Sequence, residues 1–389
     1  MSDVLFIAGG LWQKPFVQYL KDRGHRVAVV NPVETETTRI ADVHLIEDVR
    51  NVEDIIELVE LADKVPDFVT SDQSDISTMV VSVLSSHWGL PGNYPSVIDK
   101  FTNKYSMYEF GSDIGVSVPT SALVEDFIDV AKFGRTHGYP IIIKPIDSTM
   151  SRGFRKFESA HHVTHEFFEE SLSFSRLGHV IVQKFMPGDM VTLEGVCSGG
   201  KHKTLATSRK NEYFKAGITS GVRYPSSIDS ELLDKIIAEN DRYVEEAGLR
   251  FGLTHSEFII NGDDFCLLEI GARGGGAGIT DKIVPWVSGV ESYGILEASL
   301  RGQETDVKSL IPLKRHALLK YYQKQDPVNR MDFTKEVMEI EGVAEYRHNF
   351  VGKQYAADEN DTRYTMGIYL SDDRDGIDRV QEEIDGVVK

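Results

Sequence analysis

The 389-residue sequence has few cysteines, fewer basic than acidic residues and no apolar run long enough to span a bilayer. Only Cys197 and Cys266 are present, without metal-site spacing, which excludes a disulfide framework and fits a reducing compartment. The start of the chain lacks a basic region and an apolar signal core. The net charge of -19 argues against duplex nucleic acid, although a nucleotide needs only a local positive pocket. We therefore expect a cytoplasmic protein without membrane or nucleic-acid partners.

A complete Gly-x-Gly-x-x-Gly motif is also missing. The apolar run Val4–Ala8, Gly9-Gly10, a helical pattern and a second run at Arg26–Val30 predict a parallel sheet with right-handed crossovers. A dinucleotide-binding domain is the alternative interpretation. The missing glycines oppose it, and so does the end of the second strand, which is Asn31-Pro32 rather than an acid for a ribose.

The segment from Thr254 to Ile279 has two apolar runs around Asn-Gly-Asp-Asp, which predicts a hairpin. Each run carries one carboxylate, Glu257 or Glu269. An odd-numbered turn would pair Glu257 with Leu267 and place both carboxylates on one face, whereas an even turn would separate them. Two buried carboxylates on one face repel unless a cation lies between them, and Mg²⁺ fits best. The alternative is an edge hairpin with two ordinary exposed glutamates.

An arginine follows this hairpin. Arg273 stands beside Gly274-Gly275-Gly276, where a guanidinium and bare backbone N–H groups can hold an anionic group. Earlier in the chain, Lys144 ends the β-branched run Tyr139–Pro145, which is unusual unless its amine meets a counter-anion.

Two polar segments have two interpretations each. Ser71–Asp75 follows the strand-like Phe68-Val69-Thr70, and we favour a helix-capping role for it over contact of Asp72 or Asp75 with a substrate. Arg209–Arg223 is a basic, glycine-bearing stretch, which is either a solvated surface loop or a lid over a substrate.

The order of these segments resembles the ATP-grasp superfamily of the carboxylate–amine (amino-acid) ligase type. The resemblance spans nearly the whole chain and rests on an ordered set of motifs. Those motifs are Asp99-Lys100 with Lys104, Gly115–Pro119, Tyr139–Pro145, the strand that runs into Pro187-Gly188-Asp189, His255–Glu257 and Glu269–Gly276.

This resemblance implies an α/β and α+β multidomain protein with the ATP-grasp fold. A Rossmann-like parallel α/β domain would occupy residues 1–98, and the ATP-grasp domain residues 99–310 with a lid subdomain at about 117–188. A mixed α/β subdomain would follow at 311–389. Homodimers are common in the superfamily, so a homodimer is one expected assembly.

The resemblance also implies a site for ATP with one or two Mg²⁺ ions. Two lysines would contact the phosphates, a strand end would edge the adenine, an acid would hold the ribose, and the two glutamates would bind the metal. The implied cofactor-binding residues are Lys104, Lys144, Ser151, Gln183, Lys184, Phe185, Met186, Asp189, Glu257 and Glu269, with Glu257 and Glu269 as metal ligands. Arg273 and Lys144 would be catalytic, with Arg273 stabilising an acyl phosphate.

The sequence departs from the family pattern at two places. Gly271 stands where many members have an asparagine ligand, which leaves the number of metal ions open. The loop Asp147–Gly153 has one glycine where a glycine-rich loop usually covers the phosphates; hydroxyls of Ser148, Thr149 and Ser151 are candidate substitutes.

The implied reaction is ATP-dependent ligation of a small carboxylate, such as an amino acid, to an amine through an acyl phosphate, giving ADP and phosphate. Such catalysis needs positioning and charge neutralisation rather than a protein nucleophile, and no Gly-x-Ser-x-Gly motif is present. The alternatives are a carboxylase acting through carboxyphosphate, a nucleotide-binding regulatory module with little turnover and, more distantly, a nicotinamide-dependent oxidoreductase.

Overall fold

A computed structural model describes residues 1–62, 64–148, 152–215, 218–323, 326–329, 331–349 and 363–388. These residues form three sheets, one parallel and two antiparallel, with helices packed on them. None of the described helices is both long enough and apolar enough to cross a bilayer.

The first part of the chain alternates strands and helices around a parallel four-stranded sheet of order β3-β2-β1-β4. The strands are nearly continuous apolar runs because helices cover the sheet. The elements are β1 (Asp3–Ile7), α1 (Lys14–Asp22), β2 (Arg26–Val30), α2 (Glu36–Ile40), β3 (Val43–Leu45), α3 (Val52–Leu61), β4 (Phe68–Thr70) and α4 (Asp75–His87).

Two short helices, α5 (Pro95–Thr102) and α6 (Lys104–Asp113), lead out of this sheet. Asn103 separates them: its extended backbone ends α5, and its side chain accepts from the N–H groups of Tyr105 and Ser106 to cap α6. The predicted domain boundary at residue 98 falls inside α5.

A small antiparallel sheet of order β5-β8-β6-β7 comes next and has its own apolar core. We call it the lid sheet. Its elements are β5 (Ser121–Val124), α7 (Phe127–His137), β6 (Ile141–Pro145), β7 (Arg155–Phe157), α8 (His165–Ser173) and β8 (Val180–Lys184).

The large sheet has eight strands in the order β13-β12-β9-β10-β11-β14-β16-β15. The predicted C-terminal subdomain contributes three of its strands, so residues 99–310 and 311–389 share one sheet. The elements are β9 (Asp189–Ser198), β10 (Lys201–Lys215), β11 (Ile218–Tyr224), α9 (Ser230–Ala247), β12 (Gly252–Asn261), β13 (Asp264–Gly271), α10 (Val284–Ser288), α11 (Ser292–Leu300), β14 (His316–Gln323), α12 (Thr334–Met338), β15 (Val343–Arg347), β16 (Arg363–Ser371) and α13 (Arg374–Val388).

The prediction of a loop at Arg209–Arg223 is wrong. Most of it belongs to β10 and β11, with Arg209 opposite Arg223. The two strands are hydrogen-bonded to β9 on one side and β14 on the other, so neither is a sheet edge. Polar side chains on such strands need not indicate a loop, because one face of a sheet can line a cleft.

Candidate functional site

The two glutamates of the hairpin lie directly opposite each other, because Glu257 on β12 is the register partner of Glu269 on β13. The predicted pairing of Glu257 with Leu267 is wrong, because Leu267 pairs with Phe258. The turn between Asn261 and Asp264 holds two residues, an even number, and a β-bulge then shifts the register between Glu257 and Phe258. The bulge returns both carboxylates to one face.

The extra residue of the bulge is Leu268, and its carbonyl oxygen lies 2.7 Å from the hydroxyl of Tyr108 on α6. The same hydroxyl accepts a hydrogen bond of 2.9 Å from the ammonium of Lys144 on β6. The bulge is therefore linked to both a helix and the lid sheet.

Ammonium groups from two other elements face the glutamates. Lys210 of β10 forms an ion pair with Glu257. Lys104, at the start of α6, lies 3.4 Å from Oε1 of Glu269 and donates to the carbonyl of Ser148 at 2.8 Å. Burial alone would raise the pKa of Glu257, but Lys210 and His255 outweigh it and hold that pKa well below its ordinary value.

The surroundings of Lys144 disfavour its charged form. Burial and the neighbouring charge of Lys104 lower the pKa of the Lys144 ammonium to about 7, although Glu269 and Glu257 oppose the shift. An additional anion beside Lys144 would favour the charged form of this lysine. Such an anion would be the counter-anion that the sequence predicted for Lys144.

The donor set of the glutamate pair fits Mg²⁺. This ion prefers oxygen ligands, commonly one or two carboxylates, and completes its shell with water and phosphate oxygens. Glu257 and Glu269 offer such oxygens on one face, and each is balanced by a lysine. Among the described residues no group of three or more His, Cys, Asp or Glu side chains is arranged for a metal, so a phosphate-completed shell suits this site better than an all-protein one.

The same face of the sheet continues with His255, the register partner of Gly271 and Glu194. Its Nδ1 lies 2.7 Å from Oε1 of Glu194, and its Nε2 lies 3.5 Å from Oε1 of Glu257. Burial alone would lower the pKa of His255, but Glu194 raises it. The Glu194 carboxylate therefore favours the charged form of His255, next to the glutamate pair.

Arg273 is held by Asp75, the first residue of α4. Nε and one terminal nitrogen of Arg273 lie 3.0 and 3.4 Å from the two carboxylate oxygens. Another N–H donates to the carbonyl of Gly274 at 3.1 Å. Burial alone would lower the pKa of Arg273, but the Asp75 carboxylate raises it. Of five N–H donors, two are not used by these partners.

The departure at Gly271 has a steric cause. A Cβ atom there would lie 2.9 Å from Oδ1 of Asp75 and 3.3 Å from the Arg273 side chain. The ion pair between Asp75 and Arg273 occupies the space that an asparagine side chain at position 271 would need.

The strand end predicted to edge the adenine follows β8. Backbone N–H groups of Lys184 and Phe185 donate to the carbonyls of Thr120 and Pro140, so neither is free for a base. The Lys184 ammonium donates to Gly138 at 2.9 Å, away from the glutamates. Side chains and carbonyl oxygens remain for adenine contact.

Other predicted residues around this strand end have defined partners. Gln183 is buried, with its carboxamide oxygen 3.2 Å from the Tyr108 hydroxyl. The sulfur of Met186 lies 2.9 Å from that of Cys266. Asp189 forms an ion pair with Arg209. Ser151 lies outside the described residues.

The structure therefore brings Lys104, Lys144, Glu257 and Glu269 together and adds residues that sequence reasoning missed. These are Lys210, Tyr108, His255 and Glu194. Two signals were available: Glu194 is a lone carboxylate in an apolar run, and the His-x-Glu spacing puts His255 on the face of Glu257.

The lid sheet and the large antiparallel sheet both contribute to the charged cluster, because Lys144 lies on β6 and Glu257 and Glu269 lie on β12 and β13. A family model of the ATP-grasp domain matches residues 101–277, so the chain contains an ATP-grasp domain and the predicted family and fold are confirmed.

Solved structures share this fold over almost the whole chain. An L-amino acid ligase from Bacillus licheniformis is similar over 99% of this chain and 97% of its own, with a TM-score of 0.82 and 17% identity. The biotin carboxylase domain dimer of Hydrogenobacter thermophilus 2-oxoglutarate carboxylase, in complex with MgADP, ADP and bicarbonate, covers 96% of this chain and 87% of its own, with a TM-score of 0.77 and 14% identity.

A curated relative matches a shorter part. The carbamoyl phosphate synthase large chain of Vibrio vulnificus is 22% identical over 209 residues, which are 51% of this chain and 18% of that protein. At these identities the solved structures establish the fold but leave the substrate open.

Proposed function

We propose that this protein is an ATP-dependent carboxylate–amine ligase that forms an amide bond through an acyl phosphate, with an amino acid or similar small acid as substrate. The observation that carries this proposal is the register pair Glu257 and Glu269, which form ion pairs with Lys210 and Lys104 and interact electrostatically with Lys144. The likeness to an L-amino acid ligase over nearly the full length of both chains supports it. Both cysteines are free thiols, which supports the cytoplasm as its compartment.

In this proposal the chain binds the triphosphate by charge. Lys104 and Lys144 contact phosphate oxygens, and Glu257 and Glu269 would hold Mg²⁺, which would supply positive charge against the negative charge that develops in transfer. Lys210, which forms an ion pair with Glu257, adds positive charge next to the proposed metal and phosphate site.

The reaction has two steps. A substrate carboxylate oxygen attacks the terminal phosphorus of ATP, the bond from that phosphorus to the bridging oxygen breaks, and ADP leaves. An amine then attacks the acyl carbon, loses a proton and expels inorganic phosphate. The two N–H donors that Arg273 has left point to a role in stabilising negative charge on the acyl phosphate.

The test is phosphate release from MgATP, screened against pairs of the common amino acids and, separately, bicarbonate. Release that needs an amino-acid pair, together with a product whose mass equals both acids minus water, supports the ligase. Release with bicarbonate alone favours the carboxylase, and this alternative is kept because a structural neighbour holds bicarbonate with MgADP.

The Glu269→Gln variant separates an enzyme from a binding module. We expect the variant to lose phosphate release. If the wild-type protein binds ATP without any release in the whole screen, the chain is a nucleotide-binding module and the proposal is wrong. A fluorescence titration with NAD tests the oxidoreductase alternative directly.

A further inference from the structure

A small cavity lies between the parallel sheet and the end of the glutamate hairpin. Its volume is about 50 Å³, and its lining includes Ser71, Asp72, Ala272, Arg273 and Leu296. About 10–15 Å³ of such space is enough for one water, so the cavity has room for a group of a few heavy atoms.

Asp72 presents an unused acceptor at this cavity. The residue is 1% exposed. Its Oδ2 accepts hydrogen bonds from the Tyr293 hydroxyl at 2.8 Å and from Nε2 of Gln73 at 2.9 Å. Its Oδ1 is buried and has no hydrogen-bond partner among the described residues, and the same is true of the Ser71 hydroxyl. Buried polar atoms without partners are uncommon because each costs free energy.

Asp72 cannot easily turn away from the cavity. Its own carbonyl accepts from the N–H of Gly274 at 2.7 Å, which ties it to the glycine run. Gln73 donates to the carbonyl of Trp12 at 2.8 Å, and the Tyr293 ring stacks on Phe16 with centroids 4.5 Å apart. Asp72 is thus held in place both from the parallel-sheet part of the chain, through Gln73 and Trp12, and from the later residues Gly274 and Tyr293.

Asp72 also lacks a basic partner. None of the ion pairs described for the chain includes Asp72. Burial raises the pKa of Asp72 to about 7, and the charge of another acid, Asp281, contributes to this increase. A ligand ammonium at Oδ1 would satisfy the acceptor and favour the ionised carboxylate.

Arg273 also lines the cavity and supplies positive charge, and two of its five N–H donors are not used by Asp75 or Gly274. A group that carries both a cation and a carboxylate matches this pair of opposite charges. An α-amino acid has both groups a few ångströms apart.

We propose that the acid activated by this protein is an amino acid whose ammonium group is bound by Asp72 and Ser71 while its carboxylate lies beside Arg273. This inference rests on the proposed ligase function and names the substrate class of its acid site. Its consequence is that the bound amino group is held away from the acyl phosphate, so a second molecule must supply the attacking amine.

The experiment compares each amino acid with its des-amino analogue. Binding of the twenty common L-amino acids is measured by ligand-observed NMR without ATP, followed by the des-amino acids of those that bind, such as propionate for alanine and 3-phenylpropionate for phenylalanine. We expect the wild-type protein to prefer the amino acid at least tenfold. Asp72→Asn, which keeps the shape of the side chain, should abolish that preference and leave the affinity for the des-amino acid within about twofold.

The matched control is Asp241→Asn, which removes a partly buried carboxylate that does not line the cavity and is paired with His202 and Lys308. It should retain the preference. Cooperative thermal unfolding of both variants checks that they fold, and Ser71→Ala offers a second, milder probe of the same acceptors.

The inference is overturned if no amino acid binds, if amino and des-amino acids bind equally, or if Asp72→Asn weakens both to the same extent, which is the pattern of a structural role. These outcomes do not depend on turnover. Failure of the ligase proposal shows separately, as absence of phosphate release from wild-type protein with any acid and amine pair.

Discussion

Gly271 and Asp75 approach so closely that a Cβ atom on the glycine would lie 2.9 Å from the aspartate Oδ1. Gly271 is the last residue of β13, the second strand of the glutamate hairpin. Asp75 is the first residue of α4, a helix that packs on the parallel sheet. Position 271, where many family members have an asparagine ligand, is therefore in contact with the ion pair that orients Arg273.

This contact predicts that Gly271→Asn will not restore a metal ligand. The new side chain must displace Asp75 or Arg273, so we expect about 1–3 kcal/mol less stability and slower phosphate release. Chemical denaturation and release assays measure both. In the double variant with Asp75→Ser the clash is relieved, and the two stability losses should be clearly non-additive. Additive losses would mean that the two residues do not interact.

Glu269→Gln should lower phosphate release by about 10²–10³-fold, because the amide cannot replace the carboxylate charge on Mg²⁺. Steady-state assays over a range of Mg²⁺ concentrations measure the effect, and added Mg²⁺ should recover part of it. Glu341→Gln, on an exposed surface, is the matched control and should change nothing. Unaltered release by Glu269→Gln would remove the metal role.

Binding of ATP should be linked to uptake of a proton by Lys144. The pKa of this ammonium is about 7, so it is mostly neutral at pH 8, and a bound phosphate would favour its charged form. Calorimetry at pH 8 in buffers of different ionisation enthalpy should show uptake that is absent in Lys144→Met. In the protein without nucleotide, the lowered pKa makes the Lys144 contribution to stability increase as pH rises from about 7 to about 10.4.

The His255–Glu194 pair should stabilise the fold most at low pH. The raised pKa of His255 means that its contribution is fully present below the unfolded pKa, about 6.5, and is lost as pH rises through the folded pKa. We expect Glu194→Gln to lower the free energy of unfolding, and the difference from wild type to shrink as pH rises. A difference that is independent of pH would contradict this assignment.

The sequence predicted the elements and the residue types of the site better than their connections. Glu257 and Glu269 were found because carboxylates are rare in apolar runs. Their register was not, because a bulge at Leu268 depends on contacts from Tyr108, which is far away in the chain. A two-residue turn by itself would have separated the carboxylates.

The cations were predicted unevenly for a similar reason. Lys104 and Lys144 belong to recognisable motifs, whereas Lys210 lay in a stretch interpreted as a loop. Its partner Glu257 is set by strand pairing across β9, which local patterns do not encode. The predicted helix-capping role of Ser71–Asp75 is confirmed for Ser74, which caps α4, whereas Asp75 is the first residue of that helix and its partner Arg273 is 198 positions away.

The bulge at Leu268 also separates the hairpin tip from the chemistry. The register shift between Glu257 and Phe258 lies inside the hairpin, so a change confined to the exposed side chains of the Gly262-Asp263 turn leaves the pairing of the two glutamates in place. That tip is therefore a suitable attachment point for a fluorophore or a short peptide tag, which we expect to leave the glutamate pair undisturbed.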